Sequence, residues 1–91
     1  KIEVLNSTPV IGLAGGVARV VSNLGGEVIE LGNLDEEKEI TYIEHFLEEE
    51  NYTVKRLAQV LGCQVEKGAG EYQGRAEIRI VVGKDRIIEP L

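Results

Sequence analysis

Three short segments alternate apolar with polar residues, a pattern typical of strands that bury one face. The first covers residues 2–5 and is followed by turn-forming residues at 6–9, and the second covers residues 28–31. The third, residues 76–82, is the clearest, with Ile78, Ile80 and Val82 on one side and Glu77 and Arg79 on the other. Residues 40–46 and 63–65 predict further strands. The pattern therefore indicates four or five strands.

Two other segments repeat apolar residues at intervals of three and four, as an amphipathic helix does. Residues 12–24 form the first, and Gly25 and Gly26 follow it as a stop signal. The second begins after Asn51, a favourable N-cap residue, and ends at Gly62. Two helices suffice to cover one face of a small sheet, so we expect no helix on the other face.

An internal repeat refines this architecture. A shift of 37 residues lays residues 17–28 over residues 54–65 with five identities in twelve positions. Each copy runs through a helix, a glycine stop and a strand, which predicts two βαβ-like halves followed by one extra strand. Convergence of two helix-to-strand junctions is the alternative explanation of the identities. The predicted fold class is α/β (α+β), a two-layer sandwich with both helices on one face of a four- to five-stranded mixed sheet.

The helix-free face of that sheet should carry the polar side of each strand. Glu77 and Arg79 are the first candidates for it, because the alternation around them is regular. Further candidates, on strands with a less regular alternation, are Glu3, Glu30, Glu44 and His45.

The negative charge of the chain is concentrated in one segment. The 91 residues carry a formal net charge of −6, yet residues 33–50 hold eight carboxylates against one lysine and sum to −7, which leaves +1 for the remainder. Non-specific nucleic-acid binding depends on Lys and Arg that neutralise phosphates, so this class of function is excluded. A ligand that binds away from residues 33–50 would meet a nearly neutral surface.

Length and composition bound the domain organisation. A chain of 91 residues provides one small domain. Because it contains no Met and begins at Lys1 in a strand pattern, we expect residues 1–91 to be one domain of a longer protein. No apolar run approaches the roughly 20 residues that span a bilayer, so any membrane attachment would come through a segment absent from this chain.

The loop after the first strand is the main candidate for ligand binding. It presents Asn6, Ser7 and Thr8 ahead of Gly12 and Leu13, where the first helix begins. Its glycines match neither the P-loop spacing nor the dinucleotide-binding spacing. One interpretation is that the loop serves helix–sheet packing and turn geometry. The other is that these residues and the following amides bind an anionic or hydroxyl-rich ligand.

No group of residues in the sequence indicates catalysis or metal binding. His45 is the single histidine and has no neighbouring nucleophile, and Cys63 is the single cysteine, so there is no zinc spacing and no disulfide framework. The acidic segment lacks the alternating ligands and the glycine of an EF-hand loop. We therefore expect no catalytic residue, no metal and no cofactor.

Five short motifs, in this order along the chain, carry a family resemblance. They are V-x-N-x-T at residues 4–8, G-L-A at 12–14, T-x-I at 41–43, L-A-x-x-L-G at 57–62 and V-G-x-D at 82–85. Together they resemble the C-terminal accessory domain of LytR-CpsA-Psr cell-envelope proteins, and the resemblance runs from Ile2 to Asp85. In that family a membrane-anchored catalytic domain, which transfers phosphate-linked glycopolymers to peptidoglycan, precedes this one.

The resemblance implies a non-catalytic accessory module that lies outside the cytoplasm in a bacterial envelope. Its expected partners are peptidoglycan or wall glycopolymer, or a neighbouring domain of the parent protein, and it binds no nucleic acid. The alternatives are a structural domain that forms homo-oligomers and binds no ligand, and a small anion or nucleotide binder at the first loop.

Overall fold

A computed structural model of the protein describes residues 1–49, 51–68 and 76–87. The regular elements follow one another in the order β1 (Ile2–Asn6), α1 (Leu13–Asn23), β2 (Val28–Asn33), β3 (Tyr42–His45), α2 (Tyr52–Leu61), β4 (Gln64–Lys67), β5 (Ile78–Val82) and a 3₁₀ turn (Lys84–Arg86). Glu50 of the acidic segment and the residues 69–75 and 88–91 lie outside the described residues.

The five strands form one mixed sheet in the order β2-β1-β5-β3-β4. β1 pairs in parallel with β2, β3 pairs in parallel with β4, and each pair is joined through one helix, which confirms the two βαβ-like halves. β5 lies between the halves, parallel to β1 and antiparallel to β3. The extra strand that the sequence predicts therefore joins the two halves into a single sheet.

α2 begins and ends at residues suited to their positions, whereas α1 begins without a side-chain cap. The side chain of Asn51 accepts a hydrogen bond from the Val54 amide at 2.9 Å, as predicted for the N-cap of α2. Gly62 ends α2 in the left-handed conformation, with φ of 63°. Gly12 precedes α1 with φ of 95° and, having no side chain, gives that helix no side-chain cap.

The core lies between the helices and one face of the sheet. Strand residues whose side chains alternate toward the helices are almost fully buried together with the inner faces of α1 and α2. The central members of this cluster are Val4, Ile43, Ile80, Val21 and Val54, each with no exposed surface. This arrangement confirms the two-layer sandwich. Within the described residues, neither helix has the length and apolar character needed to cross a membrane.

The third strand differs from its prediction in length and in the face that one residue occupies. It was predicted over residues 40–46, but only Tyr42–His45 form ladder pairs, because the Thr41 amide donates to Asp85 instead. His45 pairs with Ile78 and is 4% exposed, so it lies on the helix-covered face and not on the helix-free face. Its neighbour Glu44 occupies the helix-free face.

Candidate functional site

A cleft opens where β1 and β2 end and α1 begins. Its volume is about 480 Å³, and its walls are the β1–α1 loop, the first turn of α1 and the last three residues of β2 (Leu31, Gly32 and Asn33). The carboxyl ends of two adjacent parallel strands meet here, the usual ligand position in sheets with α/β connections. The cleft therefore lies at the loop that the sequence singled out.

Two of the predicted residues, Asn6 and Thr8, shape the loop that forms one wall. The Asn6 side-chain oxygen accepts hydrogen bonds from the Thr8 amide at 2.9 Å and the Thr8 hydroxyl at 2.7 Å. The Asn6 amide group donates to the Val10 carbonyl at 2.8 Å. Since most of the Asn6 hydrogen-bonding capacity is spent within the loop, this residue orients the wall more than it offers groups to a ligand.

The other three predicted residues divide between wall and interior. Gly12 lines the cleft, where its positive φ allows the chain to turn into α1. Ser7 is 1% exposed and does not line the cleft; its hydroxyl donates to the Val82 carbonyl at 2.6 Å and accepts from the Lys38 amide. Leu13 packs against the core. Ser7 and Leu13 are therefore structural residues of this corner.

The walls of the cleft combine exposed apolar groups with unpaired donors. Ile11 is 98% exposed and Leu31 53%, and every residue that lines the cleft among those described is uncharged. The first amides of a helix have no intrahelical acceptor, and no side chain caps α1. The cleft can thus bind a neutral molecule through aliphatic contacts on one side and backbone hydrogen bonds on the other.

The helix-free face of the sheet carries a row of charged residues that crosses all five strands. The strand register places Glu30, Glu3, Arg79, Glu44 and Glu66 side by side, one from each strand in sheet order. We call these five residues the charge ladder. It holds one cation among four carboxylates.

Arg79 lies at the centre of the charge ladder and contacts both neighbours. Its guanidinium donates to Glu44 at 3.2 Å and lies 3.7 Å from a carboxylate oxygen of Glu3, with the Phe46 ring centre 5.5 Å away. The α-ammonium group of Lys1 donates to Glu77 at 2.6 Å and thereby lowers the pKa of that carboxyl. Arg79, predicted for this face, is thus held there by ion pairs with both neighbours, whereas Glu77 precedes β5 and has no partner in the strand register.

A second row on the helix-free face is apolar at its centre. Leu5 and Val81 are neighbours in the register and are 8% and 1% exposed. Leu5 lies against Gly32, where an added Cβ would come within 3.0 Å of the Leu5 side chain, and Tyr42 is the neighbour of Val81 on β3. Burial raises the pKa of the Tyr42 hydroxyl. The face without helices is therefore only partly open.

Comparison with known families agrees with the motifs and the fold. The LytR_C family model, described as LytR cell envelope-related transcriptional attenuator, matches residues 1–85. The chain belongs to this family. The solved C-terminal domain of RV0431 has the same fold, with a TM-score of 0.60 over 90% of this chain and 70% of that one at 24% sequence identity. No curated protein matches the chain.

Two of the motifs in this LytR_C domain form a hydrogen-bonded clip that could not be predicted from the sequence. The Asp85 carboxylate accepts from the Thr41 amide at 3.1 Å and the Thr41 hydroxyl at 2.6 Å, and that hydroxyl accepts from the Gly83 amide. A Cβ on Gly83 would lie 2.5 Å from the Ile40 carbonyl carbon. The T-x-I and V-G-x-D motifs thus hold the chain entering β3 against the end of β5.

The acidic segment of the LytR_C domain is partly neutralised by lysines. Lys38 pairs with Glu36 at 3.0 Å, which raises the lysine pKa, and Lys84 lies within 4 Å of Glu37 and Glu39. The segment also continues the sheet edge, since the Leu34 amide donates to the Asn6 carbonyl. Its described carboxylates stand outside the cleft, although the segment begins at Asn33 on the cleft wall.

Cys63 is a structural residue of the domain, and His45 is buried on the helix-covered face. The Cys63 thiol is half-buried against the core, and burial raises its pKa, which makes the thiol a poor nucleophile near neutral pH. No group of His, Cys, Asp and Glu among the described residues could hold a metal ion. LytR_C is a family of accessory domains of the cell envelope.

Proposed function

We propose that this LytR_C domain is a non-catalytic binding module of a bacterial envelope protein, and that its cleft binds the glycan of the envelope. The parent protein would hold the domain outside the cytoplasm. The observation that carries the proposal is the uncharged cleft, with a volume of about 480 Å³, in a protein that is 29% charged. Peptidoglycan glycan, or a wall glycopolymer, is the ligand that the family context favours.

The chemistry of the cleft suits a sugar chain. Sugar rings present apolar C–H faces and a rim of hydroxyl and acetamido groups. Ile11 and Leu31 provide aliphatic surface for the ring faces, and the uncapped amides of α1 provide donors for the oxygen atoms. No charged side chain lines the cleft among the described residues, so a neutral or anionic glycan meets no repulsion from its walls.

Two adjacent glycines of α1 allow a matched test of the cleft. Neither would bring an added Cβ within 4 Å of any atom, but Gly15 lines the cleft and Gly16 does not. Gly15→Glu would fill the cleft and place a carboxylate next to the free amides of α1, so we expect affinity for soluble peptidoglycan fragments to fall by at least about tenfold. Gly16→Glu should leave this affinity unchanged.

Binding is measured by NMR titration and by retention on insoluble peptidoglycan with and without its attached wall glycopolymer. Thermal unfolding serves as the folding control, because both substitutions replace a helical glycine and should not destabilise α1. Equal loss of binding in the two variants would place the glycan elsewhere. Absence of retention on either wall preparation by the unmodified domain would contradict the proposal and favour a role in contacts with a neighbouring domain.

A further inference from the structure

β2 is an edge strand whose outer side bonds to no strand in the described part of the chain. It spans Val28–Asn33, contains neither Pro nor Lys, and pairs with β1 in unbroken register from Glu30 onward. Soluble proteins usually protect such an edge with lysine, proline, a β-bulge or a very short strand. The one register shift of β2 lies at its start, between Val28 and Glu30, and leaves the rest of the strand regular. The opposite edge strand, β4, fits that rule better, because it has four residues and carries Lys67.

The two faces of the β2 edge differ in chemistry. Leu31 is the neighbour of Val4 and therefore faces the helix side, where it is 53% exposed and lines the same cleft as the exposed Ile11. Glu30 is the neighbour of Glu3 and faces the helix-free side. Because side chains alternate along a strand, a strand added here would place one set of residues near Leu31 and the other set near Glu30.

The charges of the charge ladder indicate which residues of an added strand would be favourable next to Glu30. Arg79 contacts Glu3 and Glu44, but Glu30 makes no ion pair with any described residue and stands next to the like charge of Glu3. Like charges side by side on one face of a sheet are unfavourable, whereas an opposite charge in the next strand is favourable. A cationic residue opposite Glu30 would supply the missing counter-charge.

A second copy of this chain fits the edge poorly. It would bring another net charge of −6 and another unpaired Glu30 to this edge. We propose instead that the β2 edge accepts an extended segment of a partner protein in which apolar residues alternate with lysine or arginine. This docking surface shares Leu31 with the cleft, but it uses the outward backbone groups of β2 and does not depend on glycan binding.

The test uses two synthetic eight-residue peptides, one alternating valine with lysine and one alternating valine with glutamate. The lysine peptide should bind the domain and slow amide hydrogen exchange in β2, because added strand pairing protects its outward amides. Glu30→Lys should weaken binding of the lysine peptide by about fivefold to tenfold and strengthen binding of the glutamate peptide. Glu49→Lys, an equal change of charge at an exposed position, should do neither.

Three outcomes would overturn this proposal. The first is equal weakening by Glu30→Lys and Glu49→Lys, which would mean that the peptide responds only to net charge. The second is lysine-peptide binding without protection of β2. The third is a dimer of the free domain, seen by sedimentation, in which β2 is already protected. The Gly15→Glu variant should keep its affinity for the lysine peptide, so failure of glycan binding and failure of strand addition remain distinguishable.

Discussion

At the scale of single residues, the motifs that define the family are mostly structural. Asn6 and Thr8 bond to each other and to their own loop, and Gly62 ends α2 with a positive φ. The Thr41 hydroxyl donates a hydrogen bond to the Asp85 carboxylate, 44 positions away in the chain. The groups that remain free for a ligand, namely Ile11, Leu31 and the first amides of α1, lie outside the side chains of these motif residues. The motifs therefore identify the fold more directly than they identify the ligand.

Removal of the Asp85 carboxylate should show how much the clip contributes. In Asp85→Ala the amide and hydroxyl of Thr41, a residue 1% exposed, lose their acceptor, and buried donors left unpaired cost roughly 1–3 kcal/mol. Because Asp85 itself is partly exposed, we expect a decrease of about 2 kcal/mol in the free energy of unfolding, measured with urea. The exposed Asp35→Ala should change it by less than about 0.5 kcal/mol. Equal values for the two variants would contradict the role assigned to the clip.

At the scale of elements, the end of β5 lies close to the chain entering β3, and this contact predicts how a substitution at Gly83 changes stability. Gly83→Ala would place a Cβ 2.5 Å from the backbone of Ile40, which cannot rotate away, so unfolding free energy should fall by about 2–3 kcal/mol. Gly16→Ala in α1 meets open space and should raise it by about 0.5–1 kcal/mol. The same substitution thus has opposite signs at the two sites in urea unfolding. A neutral Gly83→Ala would show that the approach is looser than described.

The helices and strands were predictable because their signals are local. Asn51, Gly62 and the alternation of Ile78 with Ile80 are read directly from neighbouring residues, and the structure confirms each of them. The position of β5 between the two halves was not predicted, since strand order depends on contacts far apart in the chain. The hydrogen bonds between Thr41 and Asp85 were not predictable for the same reason, since 44 positions separate the two residues. Glu44 and His45 were both candidates for the helix-free face, and only Glu44 lies there, because adjacent strand residues point to opposite faces.

The candidate site was predictable in position but not in detail. A loop after a first strand and before a helix predicts a cleft at that corner, and the cleft is there. Ser7 could not be recognised as buried, because its acceptor is the Val82 carbonyl from a strand 75 positions away. The sequence did not indicate that Leu31 lines the cleft, because this position depends on the parallel pairing of β2 with β1.

At the scale of the whole molecule, the uneven charge separates the two proposed surfaces. The net charge of −6 resides largely in residues 33–50, where Lys38 and Lys84 pair with only some of the carboxylates. The cleft has uncharged walls, whereas the β2 edge includes Glu30 beside Glu3. Both surfaces use β2, but one responds to shape and hydrogen bonding and the other to charge as well.

Salt should therefore affect the two surfaces differently. Raising sodium chloride from about 0.05 M to about 0.5 M shortens the screening length from roughly 14 Å to roughly 4 Å, which weakens attraction between exposed charges. Affinity for a neutral fragment, an oligomer of the peptidoglycan sugar N-acetylglucosamine, should change by less than about twofold over this range, because no charge lines the cleft. Affinity for the lysine peptide should fall by about fivefold or more. NMR titration at the two salt concentrations measures both affinities. In the Glu30→Lys variant, binding of the lysine peptide should lose most of its salt dependence. A strong salt effect on the neutral fragment would mean that carboxylates of residues 33–50 reach the cleft when it is occupied.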